Sequence, residues 1–201
     1  MIRAAIPDDA KALAILLIDS WRAAYTGLVP KEHLEKMDSV KRAIRFRDGL
    51  MAKTGETYVV DDGGEIQGFV SLGGCRDADV DRTQIGEIWA IYVAPQHWRR
   101  GLGRELCRYA EDLLLSRGYS QCVLWVFEGN AQGRRFYEAV GFRLDGASKI
   151  LNPGAPLEAV RYRKTLRSDR QATQQEGAPI GLPENIRQMA APGETQEKCR
   201  Q

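Results

Sequence analysis

A buried strand, an amphipathic helix and a second buried strand follow one another in the middle of the chain. Residues 85–94 (IGEIWAIYVA) form an apolar run that Pro95 ends, and residues 119–127 (YSQCVLWVF) form another. Between them, residues 101–117 repeat leucines at the spacing of an amphipathic helix. A strand, a helix and a strand of these lengths make a crossover connection, in which the two strands run parallel. The segment therefore predicts a parallel strand pair that is buried on both faces of a sheet.

An antiparallel hairpin is predicted ahead of this segment. Thr57–Asp61 and Ile66–Cys75 alternate with period two and flank the turn residues Asp62-Gly63-Gly64. Residues 157–166 (LEAVRYRKTL) alternate in the same way and predict a final strand. Parallel and antiparallel pairs in one chain imply a mixed sheet, and the amphipathic helices around it make the fold class α+β.

Three helical segments are predicted before the hairpin. The first carries apolar residues at helical spacing and ends near Trp21 and Tyr25. Two further helices begin at Pro30 and Ser39, and we expect Val40, Ile44 and Phe46 to supply the buried side.

The composition of the chain changes near residue 167. Residues 167–201 are rich in Gln, Glu, Gly and Pro and carry few large apolar side chains. Such a segment buries too little surface to offset the entropy that it loses on ordering. We therefore predict one domain over residues 1–166 and a flexible tail over residues 167–201, with a short docked helix around residues 183–190 as the alternative.

Net charge and cysteine content restrict the expected partners and cellular location of the protein. The chain has 29 basic and 27 acidic residues, a net charge of +2, which argues against a nucleic-acid partner. Its four cysteines form no C-x-x-C pair and its two histidines have no neighbouring ligands, so we expect no metal and a reducing, cytoplasmic location. No apolar run approaches the roughly 20 residues that span a bilayer, and the first residues lack the apolar centre of a signal peptide. We therefore expect no membrane partner.

The loop between the first buried strand and the helix is the strongest candidate for a binding site. It contains Arg99 and Arg100, and Gly101 and Gly103 open the helix. The first N–H groups of a helix have no intrahelical partner and carry the positive end of the helix dipole, so they can bind phosphate. The alternative is a plain strand-to-helix turn with solvated arginines. The dinucleotide-binding fingerprint, which needs a third glycine at Leu106, and the Walker loop both fail to match.

The loop at residues 98–103 reads WRRGLG, and Asn130 and the run FYEAVGF follow the second buried strand. With these motifs, residues 1 to about 166 resemble the GNAT superfamily of acyl-CoA-dependent N-acyltransferases. The family signature is a strand, the loop R/Q-x-x-G-x-G/A, a helix, a parallel strand, an Asn and a later Tyr before Gly-Phe. Trp98 stands at the Arg or Gln position, but the family's loop offers chiefly main-chain N–H groups to pyrophosphate. The resemblance implies a mixed, mostly antiparallel sheet whose central parallel pair splays to bind acyl-CoA, flanked by helices.

The resemblance also implies acetyl-CoA as co-substrate and assigns residues to it. Its pyrophosphate is expected at Arg99, Arg100, Gly101, Leu102, Gly103 and Arg104. Its pantetheine arm is expected to pair with the main chain of Ile91, Tyr92 and Val93, as an added strand would. Asn130 is expected to contact the pantetheine or phosphate region, in addition to capping a helix.

Tyr137 is the candidate general acid for the departing thiolate. It lies seven residues after Asn130, so on one helix the two share a face about 10 Å apart. A half-buried core aromatic is the alternative interpretation of Tyr137. Trp21 and Tyr25 lie where the family builds its acceptor pocket, and core packing accounts for them equally well.

Glu87 is the candidate general base. On an ideal strand Glu87, Trp89, Ile91 and Val93 share one face, where a carboxylate either reaches solvent or is desolvated. Some GNAT histone acetyltransferases carry their base at the position of Glu87, 14 residues before Gly101. Peptide-acetylating relatives use a glutamate in the next strand, where Trp125 stands here. The base is therefore Glu87 or a water molecule.

These expectations combine into an acyltransferase that moves an acetyl group from acetyl-CoA to a primary amine by direct attack in a ternary complex. The acceptor is a small-molecule amine or an amine of a peptide or protein. A non-catalytic acyl-CoA sensor or partner subunit is the alternative. Many members of the family pair, so a homodimer is a candidate assembly.

Overall fold

Seven strands form a single mixed sheet in the computed structural model, which describes residues 1–167. The strands are β1 Ile2–Ala4, β2 Glu56–Asp62, β3 Glu65–Gly74, β4 Ile85–Val93, β5 Gln121–Phe127, β6 Arg143–Leu151 and β7 Leu157–Thr165. Their order is β1-β2-β3-β4-β5-β7-β6, and every neighbouring pair is antiparallel except β4 with β5. The predicted sheet with its central parallel pair is confirmed. The predicted tail, apart from Arg167, lies outside the described residues.

The helices cover both faces of the sheet. They are α1 Ala10–Tyr25, α2 Lys31–Glu35, α3 Ser39–Ala52, α4 Leu102–Ser116 and α5 Ala131–Ala139. Leu13 of α1 shares a buried cluster with Phe69 of β3, and Leu106 of α4 shares another with Val70. Phe69 and Val70 are adjacent in one strand and point to opposite faces, so α1 and α4 lie on opposite sides of the sheet.

Helix α3 begins at the predicted residue, but two of the three side chains expected on its buried side are exposed. The Asp38 carboxylate accepts hydrogen bonds from the N–H groups of Val40 and Lys41 and so caps the helix. Val40 and Ile44, which we expected to be buried, are 68% and 55% exposed. Phe46 packs as predicted on the α1 side, against the ring of Phe69. The chain carries two apolar stripes on this helix, and the helical period alone does not tell which one packs.

Strands β4 and β5 pair over less than half of β4. The pairs run from Ile85 with Gln121 to Ile88 with Leu124, although β4 continues to Val93 and β5 to Phe127. Past Ile88 the two strands have no ladder between them, so the centre of the sheet opens into a cleft.

A bulge in β4 inverts the side-chain alternation at the start of this cleft. Ser71 of β3 pairs with Ala90 and Leu72 pairs with Ile88, so Trp89 is one extra residue. Ile91 and Val93 pack with the cluster on the α4 side, whereas Ala90 and Tyr92 pack on the α1 side. The expectation that Glu87 shares a face with Ile91 and Val93 was therefore wrong, because an ideal strand has no bulge.

Within residues 1–167, no helix combines the length and the apolar character needed to cross a bilayer. Across the same residues, no group of three or more His, Cys, Asp and Glu side chains is arranged so that it could hold a metal ion.

Candidate active site

The space between the diverging ends of β4 and β5 is a cavity of about 770 Å³. Most residues assigned to the site from the sequence line it: Tyr25, Ile91, Tyr92, Val93, Arg99, Gly101, Leu102, Gly103, Arg104, Asn130 and Tyr137. Trp21, Glu87 and Arg100, which were also assigned, do not. The fold thus brings the end of α1, strand β4, the loop after it, α4 and α5 to one cleft.

The loop before α4 forms an open helix N-terminus at one end of the cavity. Gly101 has φ 90°, a left-handed conformation that glycine adopts without strain, and its carbonyl accepts from the N–H groups of Arg104 and Glu105. The N–H groups of Leu102 and Gly103 precede the first bonds of the helix and remain for a ligand. The Trp98 indole donates to the Val93 carbonyl at 2.6 Å, so this side chain braces the loop against β4.

The free edge of β4 supplies main-chain donors beside this helix. The Ala94 N–H donates to Gln67 of β3, so Gly68 and Val93 form a non-hydrogen-bonded pair of the antiparallel ladder. By the alternation of that ladder, the N–H groups of Ile91 and Val93 point away from β3, toward the cleft. The Val93 carbonyl is already taken by Trp98 and by the Ser20 hydroxyl at 3.1 Å.

Helix α5 presents Tyr137 to the cavity. Its ring packs on Phe136, Phe142 and Tyr162 at centroid distances of 5.1, 6.1 and 6.4 Å. Burial raises the pKa of the Tyr137 hydroxyl well above its ordinary value, so the phenol keeps its proton at neutral pH. Asn130 caps the same helix through a 2.9 Å hydrogen bond from the Gly133 N–H.

Of the two aromatic residues at the end of α1, Tyr25 reaches the cavity and Trp21 stands behind it. The rings meet edge to face at 4.9 Å, and both pack on Phe127. The Trp21 indole donates to the Tyr92 hydroxyl at 2.8 Å. Trp21 is therefore suited to hold the wall in place, while Tyr25 is suited to touch a ligand.

Glu87 lies outside the cavity and its carboxylate is occupied. Its side chain is 2% exposed. Oε1 accepts from Nη2 of Arg76 at 2.5 Å, and Oε2 accepts from the main-chain N–H and Nε of the same residue at 3.0 and 3.1 Å. These hydrogen bonds connect the loop after β3 to strand β4. The role of Glu87 as a general base stays a prediction.

Two tryptophans that the sequence analysis did not assign also line the cavity. Trp89 and Trp125 each follow the last paired residue of their strand. The Arg76 guanidinium lies 4.9 Å from the Trp89 ring centre, and the Lys149 ammonium lies 3.7 Å from that of Trp125. The Trp125 indole donates to Asp77 at 2.9 Å. The sequence could have pointed to them, because both tryptophans lie in the two buried strands that the family resemblance predicts to splay around the ligand.

Arg135 of α5 is a further lining residue that was missed. It joins Arg99 and Arg104, so three guanidinium groups border the cavity from two helices and the loop between β4 and α4. The sequence offered only an arginine in a short helix, and nothing in the helical period distinguished it from a solvated surface residue.

A family model matches the part of the chain that forms the cleft, the open helix and the splayed parallel strands. The family model described as the acetyltransferase (GNAT) family matches residues 16–142. The chain belongs to the GNAT family. It is accordingly an acyltransferase of the N-acetyltransferase class.

Curated GNAT relatives cover most of the domain. Over 166 residues the chain is 31% identical to Rv2775 of Mycobacterium tuberculosis, which is named a probable N-acetyltransferase; the match spans 81% of this chain and 91% of that one. A spermidine N(1)-acetyltransferase of Thermoplasma acidophilum is 24% identical over 158 residues, 72% of this chain and 90% of the relative.

Solved GNAT structures share the fold. The PaiA N-acetyltransferase of Thermoplasma acidophilum has a TM-score of 0.66 at 19% identity, over 82% of this chain and 98% of that one. The YncA structure from Salmonella typhimurium has a TM-score of 0.62 at 22% identity, over 84% and 94%.

Proposed function

We propose that the protein transfers the acetyl group of acetyl-CoA to a primary amine, which attacks the thioester directly in a ternary complex. The observation that carries this proposal is the single cleft in which strand N–H groups, a helix N-terminus and the Tyr137 side chain meet. Two solved structures with the same fold, those of PaiA and YncA, were determined with coenzyme A and acetyl-CoA. The acceptor is a small-molecule amine or an amine of a peptide or protein.

The cleft fits the parts of acetyl-CoA. The N–H groups of Leu102 and Gly103 suit the pyrophosphate, with Arg99, Arg104 and Arg135 as cationic neighbours. The Val93 N–H group suits a pantetheine amide, so that the pantetheine arm would extend the sheet as a further strand does. Arg100, which is exposed and does not line the cavity, is left without a direct role in this arrangement.

The residues near the reacting atoms supply hydrogen bonds and one proton. Acetyl-CoA contributes a thioester whose carbonyl carbon the amine attacks, forming the C–N bond as the C–S bond breaks. The Ile91 N–H group would stabilise the negative charge on the carbonyl oxygen. Tyr137 would donate its proton to the departing sulfur. The proton of the attacking amine would leave to water, since the Glu87 carboxylate is held by Arg76.

Acetyl-CoA binding and amine-dependent thiol release test the function together. Calorimetry of the full chain should give a dissociation constant for acetyl-CoA in the micromolar range, with weaker heats for NAD and ATP. Thiol release should then require an added amine. Binding without release from any amine would favour the non-catalytic sensor, and no binding would refute the proposal.

Glu87→Gln separates the two candidates for the base. We expect kcat to change by less than about threefold, whereas loss of a general base costs about 100-fold or more. We also expect kcat/KM of both proteins to rise about tenfold per pH unit below the pKa of the acceptor amine, because the neutral amine is the nucleophile. A large fall in kcat with a flattened pH profile would make Glu87 the base.

A further inference from the structure

Within the described chain, the permanently charged side chains that line the cavity all carry positive charge. Among the residues of the described chain that line it, the permanently charged side chains are Arg99, Arg104 and Arg135, and none is Asp or Glu. Arg99 and Arg104 lie on either side of the start of α4, and Arg135 lies on α5. In the proposed arrangement they serve the phosphate groups of acetyl-CoA, which leaves no charged lining residue for the acceptor.

The acceptor end is formed by aromatic side chains. Ile88 and Leu124 form the last β4–β5 pair, and Trp89 and Trp125 are the next residues of each strand. Both side chains line the cavity beside the point at which the strands separate, and the Trp89 ring also lies against Gly55 and Gly73. Tyr25 contributes a third ring from the end of α1, beside the small residue Ala24.

The acidic groups behind these rings are already paired. Glu87 is held by Arg76, as described above. Asp77 accepts from the Trp125 indole and from Arg161 at 3.0 Å, and Lys149 lies 3.5 Å away. Cations thus lie over both tryptophan rings, and the Asp77 carboxylate contacts Trp125 only at its indole N–H.

We infer that the acceptor is a primary amine carried on one flat apolar group, such as an arylalkylamine, and is not a polyamine. This inference rests on the proposed acetyl transfer at the same cleft. Aromatic walls bind flat apolar groups through area and ring stacking. A second ammonium group would be buried without a carboxylate partner, which is unfavourable. The acceptor class thus differs from the one for which the Thermoplasma acidophilum relative is named.

A thiol-release assay with the full chain and four amines tests the effect of the acceptor's charge separately from the effect of its shape. The panel is phenylethylamine, n-pentylamine, 1,5-diaminopentane and spermidine. We expect kcat/KM for n-pentylamine to exceed that for 1,5-diaminopentane about tenfold, since the two differ in one buried charge. Phenylethylamine should be the best of the four. Equal or better turnover of either polyamine would overturn the inference while leaving acetyl transfer intact.

Substitution of one wall tests the site itself. Trp125→Leu should raise KM for phenylethylamine about tenfold without changing KM for acetyl-CoA, and Trp125→Phe should retain most of the wild-type value. If Trp125→Leu does not fold, Trp89→Leu replaces it. Equal KM values for phenylethylamine in the wild type and the leucine variant would contradict the inference.

Titration of the CoA-saturated protein, followed by indole fluorescence, gives a readout without turnover. Phenylethylamine should quench the signal at lower concentration than 1,5-diaminopentane. Selective binding without thiol release would refute the transferase proposal and support the ligand class. Equal or absent binding of the two amines would refute the ligand class, whatever the turnover.

Discussion

Replacing Tyr137 with phenylalanine should lower kcat by about 100-fold or more, because the departing thiolate loses its proton donor. Acetyl-CoA should bind the variant with a dissociation constant within about twofold of the wild-type value, since the ring that packs on Phe136 and Phe142 remains. Stopped-flow thiol release and calorimetry on the same preparations measure the two quantities.

Tyr109→Phe is the matched control. Tyr109 lies on α4 and packs on Tyr58 at 5.1 Å, away from the cavity lining, so its loss should leave kcat unchanged. Because the pKa of Tyr137 is raised, the wild type should also show no alkaline loss of activity near the ordinary tyrosine pKa. Equal losses of kcat and of acetyl-CoA affinity in Tyr137→Phe would remove Tyr137 from the chemistry.

Replacing Arg161 with methionine should lower the free energy of unfolding by about 3 kcal/mol, because three carboxylates lose a buried partner. Arg161 is 4% exposed. Its guanidinium donates to Asp77, Asp79 and Asp145 at 2.8 to 3.0 Å. Urea unfolding followed by fluorescence gives the free energy.

Arg163→Met provides the comparison on the same strand. Its side chain is 32% exposed and it also pairs with Asp145, so its loss should cost about 1 kcal/mol or less. Equal losses in the two variants would show that burial does not set the strength of this network. A loss below about 1 kcal/mol for Arg161→Met would mean that methionine packs well enough to offset the broken pairs.

The central part of the fold was predictable because its signals are local. The two apolar runs and the helix between them specify a parallel pair by length alone, and the glycines at 101 and 103 mark the helix start. Most of the predicted binding residues meet in one cavity for the same reason: they are contiguous in the chain, so placing the strand and the helix places them too.

The environment of Glu87 was not predictable, because it depends on contacts between distant segments. The bulge at Trp89 arises from the register of β4 against β3, which no period within β4 records. The pairing of Glu87 with Arg76 depends on the path of a loop 11 residues away. The aromatic wall at Trp125 likewise follows from where the strand pairing ends, and not from the residues of β5 alone.

The early end of the β4–β5 ladder leaves two unpaired strand edges in the middle of a sheet. Free edges at the margin of a sheet can pair with strands of other proteins, which makes them sites of aggregation. Here the free edges face each other across a cleft inside the sheet, and each strand is paired on its other edge, β4 with β3 and β5 with β7. The free main-chain groups of these edges can therefore pair with a thin, flexible ligand, whereas a strand of another folded protein would have to enter the cleft to reach them.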